Sequence, residues 1–133
     1  MILLDTHILI WYILASNKLK SNISKIIDQA LRKNQLYVSS ITFWEMELLS
    51  KKGKINFKKS ISWWRQELLK QGLLEISVDG LIGIKSVALK YSNNDPADRI
   101  IIATALITHS KLITADKQIL DSPEKIDALD AGT

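Results

Sequence analysis

A chain of 133 residues without a single cysteine is the length of one ordinary domain, long enough to bury a core without staples. Disulfide frameworks, thiolate nucleophiles and sulfur-ligated zinc or iron sites are thereby excluded. Hydrophobic residues at 47% and charged residues at 24% exclude a disordered or collagen-like chain, and the formal net charge of +4 points toward a polyanionic partner.

The longest apolar runs, such as Ile100 to Ile107, are too short and interrupted to span a bilayer. Asp5 breaks the first apolar run and no basic stretch precedes it. No signal peptide or membrane association is therefore expected, and residence is predicted to be cytoplasmic.

Ile2 to Leu4 is an all-apolar run ending at Asp5, the pattern of a strand covered on both faces in a parallel sheet. A helix should follow it. Ser21 or Asn22 is placed to cap another helix running to about Asn34, and Leu36 to Ser39 reads as the next strand. Ser40 is placed to cap a helix that stops at Gly53. Ser60 and Gly72 bracket a further helix, with Trp64, Ile61, Leu68 and Leu69 on its buried face. Trp63 projects to the polar side, where a partner is expected to shield it. Leu73 to Val78 is a third strand, and Asp79 opens a helix behind it. Asn94-Asp95-Pro96-Ala97-Asp98 opens the next helix, with proline at its first position and Asp98 in its first turn. Lys111 to Thr114 is a fourth strand, and Ile126 to Leu129 marks a fifth near the end of the sequence. Strands alternating with helices mean a parallel α/β sheet. Without a linker, repeat or low-complexity tract, residues 1–133 read as one doubly wound domain.

In such sheets the ligand site lies beyond the carboxyl ends of the strands, where the strand order reverses. Asp5 and Asp116 each follow a strand to that edge, and Asp98 opens the helix that feeds the second of those strands. Glu45 is the fourth acid. At 100° per residue, Ile41, Trp44, Leu48 and Leu49 form the apolar stripe of its helix, and Glu45 falls inside that stripe while Glu47 lies opposite. Asp98 likewise shares a face with Ile101, Ile102 and Ala105 rather than with Arg99. Unpaired carboxylates on apolar faces call for a cation or strong donors. Four of them in one cleft repel one another, and one or two hard divalent ions relieve that repulsion. With no sulfur and only His7 and His109 as imidazoles, the site would be oxygen-based, which favours Mg²⁺ or Mn²⁺. The chemistry that follows is phosphodiester hydrolysis.

Each acid also has a structural reading. Asp5 can end a turn or cap a helix, Asp116 can cap a short helix through Lys117 to Leu120, and Glu45 can pair with a lysine. Asp98 can complement a helix dipole, and Asp95 suits the cap role better than metal binding. The conjunction of four acids at one sheet edge favours the catalytic reading. Thr6 and Thr114 flank the cluster and can orient a carboxylate or a phosphate oxygen. His7 reads as a helix-start packing or hydrogen-bonding residue rather than a ligand. Lys51, Lys52, Lys54, Lys58 and Lys59 form a basic stretch suited to phosphate contacts, with a solvated loop as the equally ranked reading.

Four segments carry a family resemblance: Leu3-Leu-Asp-Thr-His-Ile-Leu-Ile-Trp11, Ser39-Ser-Ile-Thr-Phe-Trp-Glu-Met46 with Gly53-Lys-Ile55, Asp95-Pro-Ala-Asp-Arg-Ile-Ile-Ile-Ala-Thr-Ala105, and Leu112-Ile-Thr-Ala-Asp116. Together, and in this order, they resemble a PIN domain of the VapC toxin type. The resemblance implies a parallel sheet of about five strands flanked by helices and an endoribonuclease using Mg²⁺ or Mn²⁺. It makes Asp5, Asp98 and Asp116 metal ligands, Glu45 a fourth catalytic acid and Asp95 an auxiliary one. It also implies homodimers and a cognate antitoxin that covers the acidic cleft, making the chain the toxin of a type II pair.

Three rivals remain open at this level. The first is a non-catalytic module that only binds RNA or protein. A phospho-accepting receiver domain needs an acceptor aspartate ending its third strand, where Asp79 reads as a helix cap. A haloacid-dehalogenase-like phosphatase needs an aspartate two residues after Asp5, where His7 stands.

Overall fold

The computed structural model describes residues 1–91 and 93–132. Five strands, β1 (Ile2–Leu4), β2 (Leu36–Ser39), β3 (Leu74–Ile76), β4 (Lys111–Thr114) and β5 (Ala128–Asp130), form one sheet in the order β3-β2-β1-β4-β5. All four pairings are parallel, with Leu3 opposite both Tyr37 and Leu112. The helices among the described residues are α1 (Thr6–Ile13), α2 (Ser21–Arg32), α3 (Ser40–Lys51), α4 (Ile61–Gln71), α5 (Gly80–Ala88), α6 (Pro96–Thr108) and α7 (Lys117–Leu120). None is long and apolar enough to cross a membrane.

Side chains alternate across a strand, and here the alternation feeds two cores. Leu4, Leu36, Val38 and Ile113 pack with residues of α1, α2, α3 and α4 on one face. Leu3, Tyr37 and Leu112 pack with residues of α5 and α6 on the other. Covering both faces explains why the strands read as unbroken apolar runs. The central pair, β1 and β4, is the point where the strand order reverses.

Several expected boundaries shift. Lys20, not Ser21 or Asn22, occupies the N-cap of α2 and offers no side-chain cap bond. Burial of Ile23, Ile27, Ala30 and Leu31 on one face fixes that helix instead. Ser39, not Ser40, caps α3: its hydroxyl accepts from the Ile41 N–H at 3.2 Å. Ser40 begins the helix and accepts from the Val78 N–H at 3.3 Å. β3 is shorter than Leu73 to Val78, because Leu73 turns into the core and the chain must reach the Asp79 cap of α5. β5 begins at Ala128 rather than Ile126, its register set by pairing Ala128 with Leu112. Gly72 ends α4 with φ of 115°, a left-handed conformation that suits glycine.

The largest correction concerns α3. Its buried residues are Thr42, Phe43 and Met46, whereas Trp44 is 53% exposed. The helix lies between the two cores: Ile41 packs with one, Phe43, Met46 and Leu49 with the other. Its buried arc is therefore centred away from Trp44, which the assumption of one stripe facing one core misplaces.

The start of α6 is held by Arg99. Its guanidinium donates to the carbonyls of Ser86, Val87, Leu89, Tyr91 and Asn93. Those oxygens belong to the end of α5 and the segment after it, where helix carbonyls lack intrahelical donors. One planar cation thus fixes the connection that delivers Asp95 and Asp98 to the sheet edge. Arg99→Met should lower unfolding free energy by roughly 2–3 kcal/mol, the loss of charge-assisted bonds to partly buried acceptors. Urea denaturation followed by circular dichroism measures this, and an unchanged midpoint would contradict the role.

Candidate active site

The carboxyl ends of β1 and β4 open into a cleft of about 280 Å³ lined by Asp5, Glu45, Asp95, Asp98 and Asp116, with His7, Trp11 and Ala115 completing the wall. Each acid arrives by a separate local rule. Asp5 ends β1 and caps α1, with its Oδ1 accepting the Thr6 N–H at 2.8 Å. Its Oδ2 accepts the Thr114 hydroxyl at 2.8 Å, so both oxygens of this buried side chain are oriented. Asp95 caps α6 through bonds from the Ala97 and Asp98 N–H groups. Asp116 follows β4 and caps α7 through the Gln118 N–H at 2.9 Å, while Thr114 Oγ1 accepts the Asp116 N–H at 3.0 Å. Glu45 projects from the middle of α3 and Asp98 from the first turn of α6.

Among the described residues, Glu45, Asp95 and Asp98 form the tightest group, with one oxygen of each within 4.8 Å of the others. Asp5 and Asp116 share the cleft without joining that group. Asp95, expected as a cap with an auxiliary part, is both the cap and a member of the trio. Thr6 is buried, its hydroxyl 3.1 Å from that of Thr42 on the same helix as Glu45. Thr114 orients Asp5 directly.

Burial in the cleft raises the pKa values of Asp5, Glu45 and Asp98. Burial pushes the Asp5 carboxyl up, opposed by the Thr114 hydroxyl and the Thr6 N–H. Burial likewise raises Glu45, opposed by Thr6 and reinforced by Asp95 and Asp5. Asp98 is pushed up to about 8 by burial together with the charges of Asp5, Asp95, Glu45 and Asp116. The Oε1 of Glu45 is buried with no hydrogen-bond partner. A buried carboxylate oxygen without a donor is costly. The trio's spacing is close to the span of a hard cation's oxygen shell, with metal-oxygen distances of about 2.1 Å. The residues therefore fit a divalent cation, and Glu45, Asp95 and Asp98 stand close enough together to hold one.

Sequence reasoning misses several residues of this region. Trp11 and His7 line the cleft from α1. His7 is exposed rather than packed, and its ring draws the Asp5 and Glu45 pKa values down. Tyr91, buried and with its hydroxyl unpartnered, is raised to about 12 by burial and by the Asp116 and Asp98 charges. Nothing in local spacing announces Tyr91. Of the predicted lysines, Lys52 and Lys54 border a groove that shares Glu45 and Asp95 with the cleft. Lys58 and Lys59 line a different groove, and Lys51 is the exposed last residue of α3.

The PIN domain family model matches residues 2–125. The chain belongs to the PIN-domain family. The matched region contains every acid of the cleft, and the five-stranded parallel sheet flanked by helices is the expected architecture of this single PIN domain. The chain is similar to ribonuclease VapC22 of Mycobacterium tuberculosis, 29% identical over 119 residues that cover 89% of this chain and 88% of that protein. It is also similar to a chain of a toxin-antitoxin complex from Klebsiella pneumoniae, with 29% identity, 97% and 96% of the two chains covered and a TM-score of 0.65. The fold is shared with a chain of VapBC2 from Rickettsia felis bound to a promoter DNA fragment, with a TM-score of 0.71, 18% identity and 98% and 99% coverage.

The raised Asp98 pKa fixes the sign of a stability effect in the cation-free PIN domain. Between the ordinary value of 3.8 and about 8 the folded state holds a proton that the unfolded chain has lost. Stability therefore falls as pH rises through that window. In EDTA, Asp98→Asn should raise Tm at pH 7 by a few degrees, the shift that about 1 kcal/mol produces in a chain of this size. The gain should vanish near pH 4. Thermal melts at both pH values test this, and equal Tm at pH 7 would contradict it.

Proposed function

We propose that this PIN domain is a metal-dependent endoribonuclease, the toxin of a type II toxin-antitoxin pair acting in the cytoplasm, with Asp5, Glu45, Asp98 and Asp116 as its catalytic acids and Asp95 sharing in cation binding. The observation that carries the reading is the trio Glu45, Asp95 and Asp98 within 4.8 Å beside the buried, unpartnered Glu45 Oε1. The similarity to a ribonuclease VapC supports the choice of RNA as substrate.

Mg²⁺ or Mn²⁺, when bound, supplies charge that offsets the phosphate and lowers the pKa of water. The chain's residues do the positioning. Thr114 and the Thr6 N–H hold the Asp5 carboxylate in one orientation. Asp98, at about 8, retains a proton at neutral pH until opposite charge enters the cleft. Asp116 adds negative charge from the β4 side, and its cap bond to α7 fixes where that charge lies. A labelled RNA substrate should be cut with Mn²⁺ or Mg²⁺ and not with EDTA. Asp5→Ala and Asp98→Asn should each lower kcat/KM by roughly 10²-fold or more, as for loss of a preorganised electrostatic group, while circular dichroism spectra stay native. Full activity in either folded variant would refute the assignment.

A cognate antitoxin is the expected neutralising partner, covering the acidic cleft with a basic side chain. The similarity to a toxin-antitoxin complex supports it. A second copy of the chain is assigned to the outer face of α5. Leu81, Ile84 and Val87 are 62%, 73% and 81% exposed there, on one side of a helix whose Ile82 faces α6. Three such side chains in a row are unusual for a free surface. Trp63 is 41% exposed, edge-on to Trp64 at 5.0 Å with Lys59 over its ring, and its shielding is assigned to a partner as well. Ile84→Lys should convert dimer to monomer in light scattering, and an unchanged mass would remove α5 from the interface.

A further inference from the structure

Two grooves border the carboxylate cleft and meet it through different residues. One, of about 300 Å³, shares Glu45 and Asp95 with the cleft and is lined beyond them by Trp44, Leu48, Lys52 and Lys54, among others. The other, of about 600 Å³, shares Trp11 and Ala115 and adds Lys18, Lys20 and Lys117. The shared pairs do not overlap, so the grooves join the cleft at separate borders. Each combines a tryptophan with two or three lysines.

The second groove is held together by long-range contacts. Leu19 bridges Gly132 in antiparallel fashion, and the Lys20 N–H donates to the Ala131 carbonyl at 3.4 Å, which fixes the lysine segment beside the chain's last described residues. Lys18 Nζ lies 6.0 Å from the centre of the Trp11 ring. Lys117 comes from the first turn of α7, directly after Asp116. The three lysines are met there by Asp130 as the acid of the lining. In the first groove Trp44 presents an open indole from the middle of α3, where the packing of neither core uses it.

Charge is thus sorted: acids in the centre, lysines at both borders. A polyanion is repelled by the bare centre and attracted at each side. Indole faces stack on bases only when the bases are unpaired, because duplex stacking hides them. Resting on the ribonuclease reading, we infer that single-stranded RNA crosses the cleft along both grooves, with a base stacked on Trp44 and phosphates held by Lys52 and Lys54 on one border and by Lys18, Lys20 and Lys117 on the other. The pairing of exposed ring and ammonium groups favours a nucleotide chain over a peptide, since it matches alternating bases and phosphates.

The test uses a fluorescein-labelled, single-stranded oligoribonucleotide of about 12 nucleotides, within the range that single-strand sites cover. Binding is followed by anisotropy with MgCl₂ in an Asp98→Asn background, so that the probe stays intact. Trp44→Ala should raise Kd about tenfold, with Trp44→Phe restoring most of it. The triple variant Lys18→Ala, Lys20→Ala, Lys117→Ala should weaken binding. It should also flatten the dependence of log Kd on log salt by about 2, at roughly 0.7 for each phosphate deprived of its lysine. A duplex of the same sequence should bind at least about tenfold more weakly. Unchanged Kd and salt slope in folded variants, as expected if a peptide were the occupant, overturn the track, and so does equal binding of the duplex. Absence of cleavage by the unaltered chain beside Trp44-dependent and lysine-dependent binding refutes the nuclease reading alone. Cleavage with binding and KM indifferent to these variants refutes the track alone.

Discussion

Negative charge held at the junction of β1 and β4 is the constraint around which the rest of this structure is arranged. A parallel sheet sends every strand end to one edge, and the reversal of strand order leaves a crevice between the central pair. The chain fills that crevice with five acids. Three of them are also helix caps: Asp5 for α1, Asp95 for α6 and Asp116 for α7. The positive ends of three helix dipoles therefore converge on the cleft and offset part of the repulsion. The structural and catalytic readings of these residues are not alternatives. Capping supplies the orientation and part of the electrostatic compensation that allow acids to stand so close.

Glu45 and Asp98 differ from the other three because neither caps a helix. Glu45 has a buried oxygen without a donor, and the Asp98 carboxyl is pushed up to about 8. Local helix geometry explains where the caps sit but offers no reason to bury a glutamate within α3. A fold selected for stability alone would place an apolar residue there. Asp5 is also raised by burial, but its two oxygens are both hydrogen-bonded, so the uncompensated cost falls most clearly on Glu45 and Asp98, where local consistency with the fold is lowest.

Much of this is legible in the sequence because the signals are local. The apolar runs ending at Asp5 and at Thr114 mark the two central strands, and Asp95-Pro96 marks the start of α6. Asp5 and Asp116 follow from strand ends alone. What is not legible depends on tertiary contact. The stripe read for α3 is out of phase because its helix serves two cores, so Trp44 is expected inward when it points outward. The cap of α2 is misplaced because burial of one face, not a side-chain bond, fixes that helix. Lys117 meets Trp11, Lys18 and Lys20 from a distant segment, and Tyr91 feels the Asp116 and Asp98 charges from another, and no spacing rule encodes either meeting. Arg99 reads from sequence only as the residue facing away from Asp98, although its five carbonyl partners hold that helix in place.

The distribution of charge also reconciles a basic chain with an acidic cleft. The formal excess of +4 is small, and its effect comes from where the cations stand. Lysines of the α3 to α4 connection flank one border, and those before α2 and at the start of α7 flank the other. Each border adjoins the cleft through residues that line both. On the proposed track an approaching phosphate chain would be drawn along the lysines before it meets the carboxylates. A divalent cation, if held among the acids, would offset the negative centre between the two borders. Removing either the central charge compensation or the flanking lysines would interrupt that track at a different point. In the proposed reading the acids would govern what happens to a phosphate in the cleft, and the borders which polymers arrive there.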